Sequence, residues 1–138
     1  MVGMASAVDV GSPYDIHPAD KLRVGQRLAL HARRLAYGEA VAASGPAPLS
    51  ARRDGETVVV TLDQPGVVHA GGRPIGFELC DAADCHFVDA IVDRASVRLA
   101  VPAGMTATKV RYAWADSPII NLFGVNRLPA TPFELAVQ

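Results

Sequence analysis

The spacing of hydrophobic and polar residues changes near residue 43. Residues 18–42 are rich in Ala, Leu and Arg, which favour helices, and Pro18 suits a first helical turn, where its missing N–H is not needed. An apolar stripe follows the i, i+4, i+7, i+8 spacing of one helical face, while the arginines fall largely off it. The stripe consists of Leu28, Ala32, Leu35 and Ala36. The pattern predicts a helix from about residue 18 to residue 42.

A short strand is predicted before this helix, over residues 4–10, and the turn residues of 11–14 lead away from its end. Residues 1–43 therefore form a strand, a loop and a helix. So short a segment cannot enclose a core of its own. We expect it to lie against the rest of the chain or against protein outside these residues.

From residue 44 onward the period becomes two, which is typical of strands. The pair Asp54-Gly55 is a hairpin-turn signal directly before a β-branched run. Residues 115–132 contain three prolines and are predicted to be an ordered loop. Short strands separated by Gly and Pro predict an antiparallel β-sandwich over residues 44–138, and the chain as a whole is of the α+β class. The predicted strands are 58–62, 76–80, 87–92, 96–101, 109–114 and 133–137.

Composition narrows the possible functions. The chain has 138 residues, with 13 basic and 14 acidic side chains, and half of it is hydrophobic. Near-neutral charge argues against a nucleic-acid surface, and no apolar run is long enough to span a membrane. The N-terminus lacks a basic region followed by an apolar core, so we expect no signal peptide in these residues.

The string DIHP at residues 15–18 is the strongest candidate for chemistry. A histidine beside a carboxylate is the base-and-orienter part of a Ser-His-Asp hydrolase. Short Asp/His pairs also occur by chance. The alternative is a helix cap followed by a surface histidine.

Several further strings resemble one family, the sialate O-acetylesterases of the SGNH-type serine esterases. Around DIHP they are VDVG at 8–11, Lys21, and VGQRLA at 24–29. Further along they are GFE at 76–78, FVDA at 87–90, VRYAWADSP at 110–118, NL at 121–122 and LPATPF at 128–133. These strings are in the family's order and extend over nearly the whole chain. The resemblance implies that residues 1–43 are the end of an SGNH-type catalytic domain and that residues 44–138 are an accessory β-sandwich.

The same resemblance implies roles for individual residues. His17 would be the general base and Asp15 its orienting carboxylate, with Asp9 as the fallback because Tyr14 occupies the position that many SGNH esterases give to the acid. The reaction would remove O-acetyl groups from sugars of the sialic acid type, without metal or organic cofactor. The nucleophilic serine of the family lies in a Gly-x-Ser block, and none of the chain's serines has that context. These are Ser6, Ser12, Ser44, Ser50, Ser96 and Ser117.

We therefore expect a truncated product, a fragment or one part of a split enzyme, inactive without a missing N-terminal catalytic segment or partner chain. The expected ligand is an O-acetylated sugar, with no nucleic acid and no membrane as partner. A stand-alone β-sandwich module that binds carbohydrate or protein is the main alternative, and a poorly folding remnant is another.

Two further groups have open interpretations. Cys80 and Cys85 form either a disulfide, which would suit a periplasmic or secreted enzyme, or two reduced thiols, and a zinc site would need His69 and His86 as well. Trp114 and Tyr112 are expected to lie on one face of a strand and to pack between the sandwich and its neighbour, with sugar stacking as the alternative for Trp114.

Overall fold

The computed structural model describes residues 2–17 and 19–138. It contains one α-helix and ten strands in that part of the chain, and each pair of neighbouring strands is antiparallel. The elements are α1 (Lys21–Leu35), β1 (Pro48–Asp54), β2 (Thr57–Leu62), β3 (Gly66–Val68), β4 (Phe77–Cys80), β5 (Cys85–Phe87), β6 (Ala90–Asp93), β7 (Ser96–Ala100), β8 (Lys109–Tyr112), β9 (Leu122–Gly124) and β10 (Phe133–Ala136).

Two four-stranded sheets contain most of the strands. Their orders are β1-β2-β7-β6 and β10-β8-β4-β5, and β3 pairs with β9 in a small third sheet. The predicted hairpin is confirmed, because β1 and β2 meet at a turn in which Gly55 has a φ of +59°. The sheet-rich character predicted from the period-two pattern is therefore confirmed.

One hydrophobic cluster lies between the two large sheets and is formed by side chains from both. Val58, Val60 and Leu62 of β2 point into it at alternate positions, as the strand period requires. The other sheet contributes Phe77 and Tyr112, whose ring centroids are 4.6 Å apart. The buried Tyr112 hydroxyl has no hydrogen-bond partner among the described residues, and burial raises the pKa of this phenol well above its ordinary value.

The predicted strand over residues 87–92 is wrong as a single element. It divides into β5 and β6, which belong to different sheets, and Val88 and Asp89 form the crossing between them. The predicted loop over residues 115–132 also contains β9, which pairs with β3. Both errors have one cause: periodicity does not show where a chain changes sheets.

The predicted strand over residues 4–10 is also wrong. That segment is irregular and ends in a turn in which the Val10 N–H donates to the Ala7 carbonyl oxygen at 3.1 Å. No strand among the described residues lies beside it to accept its backbone hydrogen bonds. Instead it runs along α1, so closely that a Cβ at Gly3 would lie 2.8 Å from side-chain atoms of His31 and Leu35.

The helix is shorter than predicted, and the face of it that is buried is not the predicted apolar stripe. It begins after Asp20, whose carboxylate accepts from the Arg23 N–H at 3.0 Å, and it ends at Leu35; Pro18 lies outside the described residues. The predicted stripe is mostly exposed, with Leu28 53% accessible, whereas Arg27 is buried. The reason is that the N-terminal segment offers Arg27 a carboxylate, so that the packed face of α1 is centred on an ion pair.

The connection between α1 and the sheets is fixed at residues 43–46. The Ser44 carbonyl oxygen accepts from the side-chain amides of Gln64 and Asn126 at 3.2 and 2.9 Å. A Cβ at Gly45 would overlap the Pro129 carbonyl oxygen, so only glycine fits there. The end of the described chain is fixed as well, since Gln138 exchanges backbone hydrogen bonds of 3.0 and 2.8 Å with Ala51 and Arg53 of β1.

Candidate functional site

Asp15 and His17 are in contact in the loop that precedes α1. The imidazole Nδ1 lies 3.2 Å from Asp15 Oδ1, and the His17 backbone N–H donates to the same oxygen at 2.8 Å. Both side chains are exposed, at 62% for Asp15 and 75% for His17. A neutral imidazole that donates from Nδ1 to a carboxylate keeps Nε2 as its acceptor. The predicted base and its predicted orienting group are therefore brought together, with Nε2 free to accept a proton.

Asp9, the fallback, lies in a different arrangement. Its two carboxylate oxygens accept from Arg27 Nη1 and Nη2 at 2.6 and 2.7 Å, which is a two-pronged ion pair. The pair is buried, with the Asp9 side chain 11% exposed and the Arg27 side chain 5% exposed. The structure thus brings Asp15, and not Asp9, to the imidazole.

The sequence does not indicate Arg27 as a site residue. From the pattern alone, the arginines of the helix are expected to face solvent or to contact protein outside these residues. Arg27 Nη1 also donates to the Ser6 carbonyl oxygen at 2.7 Å, so one guanidinium holds residues 6 and 9 against α1. The loop with Asp15 and His17 starts from this held segment and ends at the Asp20 cap. A signal was available, because Asp9 and Arg27 lie in two family-like strings on either side of DIHP, VDVG and VGQRLA.

A polar cleft of about 1140 Å³ separates this N-terminal part from loops of the sheets. Asp9, Arg23 and Arg27 line one side, and Asp116 and Arg127 line the other. His17 does not line this cleft. Asp15 is the hydrogen-bond partner of its imidazole in the described residues, and none of their serine hydroxyls donates to it.

Cys80 and Cys85 are joined in a disulfide between β4 and β5, where they occupy opposite positions in the strand register. This resolves the alternatives left open by the sequence in favour of the disulfide. Over residues 2–17 and 19–138, no three His, Cys, Asp or Glu side chains come together as potential ligands of a metal ion. In the same residues, no helix is long and apolar enough to cross a membrane.

Trp114 and Tyr112 do not lie on one face of a strand, contrary to the expectation. Ala113 adopts a φ of +53°, which ends β8 at Tyr112 and turns the next side chain outward. Trp114 is consequently 52% exposed, while Tyr112 is fully buried. The Arg111 guanidinium carbon lies 5.3 Å from the centroid of the indole ring, and Arg111 Nε donates to Glu134 at 2.7 Å.

Known proteins resemble this chain in both sequence and fold. Sialate O-acetylesterase from Rattus norvegicus is 35% identical over 156 aligned residues, which cover 97% of this chain and 28% of that protein. The crystal structure of a carbohydrate acetylesterase from Xanthomonas citri superimposes with a TM-score of 0.85 at 37% identity, covering 91% of this chain and 30% of that one. No protein-family model matches the chain.

The chain spans less than a third of the length of either relative. Over that shared segment, sequence and fold agree, and they confirm the resemblance drawn from the motifs: this chain is similar in both to one part of the sialate O-acetylesterase-like esterases.

Proposed function

We propose that this chain is the C-terminal portion of a carbohydrate O-acetylesterase and supplies the His17/Asp15 part of a Ser-His-Asp triad. The observation that carries the proposal is the Asp15–His17 contact within a string similar to the family's DIHP. Residues 1–43 then complete an SGNH-type catalytic domain, and residues 44–138 form its accessory β-sandwich. The substrate is an O-acetylated sugar of the sialic acid type, in keeping with the names of the two relatives.

The chemistry divides between this chain and protein outside it. His17 Nε2 takes the proton of a serine hydroxyl as its oxygen attacks the acetyl carbonyl, and Asp15 stabilises the imidazolium that forms. As the bond between the acetyl carbon and the sugar oxygen breaks, the protonated imidazole gives its proton to that oxygen, which leaves an acetyl-serine and a free sugar hydroxyl. Water, deprotonated by the same nitrogen, hydrolyses that ester and releases acetate.

The exposure of His17 supports this division. A triad histidine in a complete site is covered by its nucleophile and substrate, whereas this imidazole is three-quarters exposed. None of the six serines lies in a Gly-x-Ser block of the family type, so the nucleophile and oxyanion donors come from outside these residues. Alone, the chain is therefore inactive.

A chimera tests the proposal. The matching segment of the Xanthomonas citri acetylesterase is replaced by this chain, and acetate release from O-acetylated sialic acid and from an aryl acetate is measured. We expect an active chimera in which His17→Ala lowers kcat at least about 10³-fold and Asp15→Asn lowers it about 10²-fold or more. His86→Ala, an exposed histidine on β5, is the matched control and keeps full activity.

Two results would contradict the proposal. A folded, active chimera that retains its kcat after His17→Ala excludes His17 as the base. Ester hydrolysis by the 138-residue chain alone, abolished by replacing one of its own serines, excludes an external nucleophile.

The second candidate is a stand-alone β-sandwich module that binds carbohydrate or protein. It is favoured by the hydrophobic cluster, whose fully or largely buried members all lie between residues 51 and 133 and include none from α1. Such a module binds its ligand without any catalytic partner. Binding by the isolated chain, combined with an inactive chimera, would favour it.

A further inference from the structure

An exposed apolar cleft of about 590 Å³ lies on the sheet formed by β10, β8, β4 and β5, away from His17. We call it the Trp114 cleft. Its apolar lining includes side chains that a folded protein ordinarily buries, and here they face solvent. They are Ile75, Phe87, Trp114 and Ile119.

The indole of Trp114 is held in place rather than loosely displayed. Arg111 lies over the ring at 5.3 Å from its centroid, and the same guanidinium donates to Glu134 at 2.7 Å and to Cys85 Sγ at 3.1 Å. The pKa of Glu134 is lowered chiefly by this hydrogen bond from Arg111. A cation above an aromatic ring attracts it, so the ring is fixed before any ligand arrives.

The backbone beneath the cleft is equally constrained. The Ala113 N–H donates to the Gly76 carbonyl oxygen at 2.9 Å, which fixes the turn that presents Trp114. Gly76 has a φ of +88°, a conformation that side-chain-bearing residues rarely adopt. The aromatic platform is therefore built on rigid chain.

The polar rim indicates the class of ligand. Glu78, Asp89 and Arg73 line the cleft with Ser117, and Arg73 Nη1 lies 3.4 Å from Asp89 Oδ2. An aromatic face beside carboxylate and guanidinium groups suits a pyranose ring, whose C–H face is apolar and whose hydroxyls donate and accept hydrogen bonds. Arg73 is paired with Asp89, and the Arg111 guanidinium over the indole is paired with Glu134, so the described residues of the cleft offer no unpaired cation to an anionic sugar.

We propose that the Trp114 cleft binds the neutral pyranose rings of an oligosaccharide, which stack on the indole while Glu78 and Asp89 accept from their hydroxyls. This deepens the proposed function, on which its choice of carbohydrate rests. It assigns the recognition of neutral rings to a place separate from the ester chemistry at His17. Its volume is within the usual range for small-molecule sites and accommodates one or two rings.

The test uses the 138-residue chain itself. Trp114 is the single tryptophan, so intrinsic fluorescence at its emission band reports on the cleft alone. The chain is titrated with neutral tetrasaccharides of glucose, xylose, galactose and mannose, and with sialic acid as the anionic probe. We expect a saturable change for at least one neutral tetrasaccharide, with a dissociation constant of about 1 mM, and none for sialic acid.

Variants locate the binding, with calorimetry as the readout because Trp114→Ala removes the fluorophore. We expect Trp114→Ala to abolish binding and Glu78→Gln to weaken it about 5-fold to 10-fold, because a neutral amide oxygen accepts a weaker hydrogen bond than a carboxylate. Tyr37→Ala, an exposed aromatic residue beyond the end of α1, is the matched control and binds normally. Each variant is checked for an unchanged thermal midpoint, and Trp114→Leu, which also lacks an aromatic face, replaces Trp114→Ala if the latter unfolds.

Three outcomes would overturn the proposal. They are no saturable signal from any neutral tetrasaccharide with the folded chain, binding of sialic acid alone, or binding that persists in folded Trp114→Ala. All of these leave the His17→Ala result in the chimera untouched, so the two proposals fail separately.

Discussion

Replacing Asp9 by Asn is predicted to detach the N-terminal segment from α1 while the sheets stay folded. The change keeps the size of the side chain and removes its charge, which leaves the Arg27 guanidinium buried without a counter-ion. The Arg27 side chain is 5% exposed and donates three hydrogen bonds, two to Asp9 and one to Ser6. The segment has no strand pairing to replace them.

The size of the effect follows from that burial. Removing one partner of a buried ion pair costs about 3–5 kcal/mol, because the remaining charge stays desolvated. Arg27→Met should cost less than this, since the Asp9 carboxylate lines the polar cleft and keeps Arg23 Nη1 at 4.0 Å. The double variant Asp9→Leu/Arg27→Met should lose less than either single variant, because it buries no unpaired charge.

Urea unfolding followed by two signals measures the effect. Helical circular dichroism reports on α1, the helix of the described residues, and Trp114 fluorescence reports on the sheets. With a urea dependence of about 2 kcal/mol per molar, a loss of 4 kcal/mol lowers the midpoint by about 2 M. We expect that shift in the helical signal and a much smaller one in fluorescence, as local unfolding requires.

The matched control is Glu39→Gln, which breaks the ion pair with Arg33. That pair is exposed, with side chains 49% and 42% accessible, so its loss should leave both midpoints unchanged. Unaltered helical unfolding in Asp9→Asn, or a double variant whose loss equals the sum of the two singles, would refute the reasoning.

Three other changes test the sheets. Gly45→Ala should lower the free energy of unfolding by about 1–3 kcal/mol, because its Cβ meets backbone atoms. Gly25→Ala, on the open side of α1, should raise it by about 0.5–1 kcal/mol, so equal thermal midpoints of the two variants would contradict the reasoning. Tyr112→Phe removes a buried hydroxyl without a partner and should stabilise by about 1 kcal/mol. Because the raised pKa of Tyr112 makes the folded state hold this proton longer, stability falls as pH rises above about 10, and the variant should lose less there. Replacing Cys80 and Cys85 by Ala should cost about 2 kcal/mol, the loop entropy of so short a ring, and reduction of the native chain should reproduce that loss.

Strands with a clear period of two could be predicted from the sequence, and β2, β4, β7, β8 and β10 lie where the pattern indicates. Strand β1 could not be predicted, because Arg52 and Arg53 interrupt the alternation of apolar and polar residues. Its buried position is determined by pairing with β2. Composition predicts helix α1, but its apolar stripe does not indicate which face of the helix is buried. An apolar stripe is a weak guide where an ion pair with a distant aspartate determines the packing.

The same limit applies to the site. The Asp15–His17 contact spans two residues, so local sequence already suggests it. The Asp9–Arg27 pair joins residues 18 positions apart, and the exposure of Trp114 depends on one backbone angle at Ala113. Neither has a periodic signature.

The bonds of Gln138 to β1 bear on when this protein can fold during synthesis. β10 completes the sheet with β8, and the two residues after it close onto Ala51 and Arg53. Until β10 leaves the ribosome, Phe77 and Tyr112 lack the ring of Phe133, which packs against both. Contacts so distant in sequence form slowly. A nascent chain halted before residue 133 would therefore expose its aromatic core to chaperones and proteases, whereas a chain that includes β10 buries it.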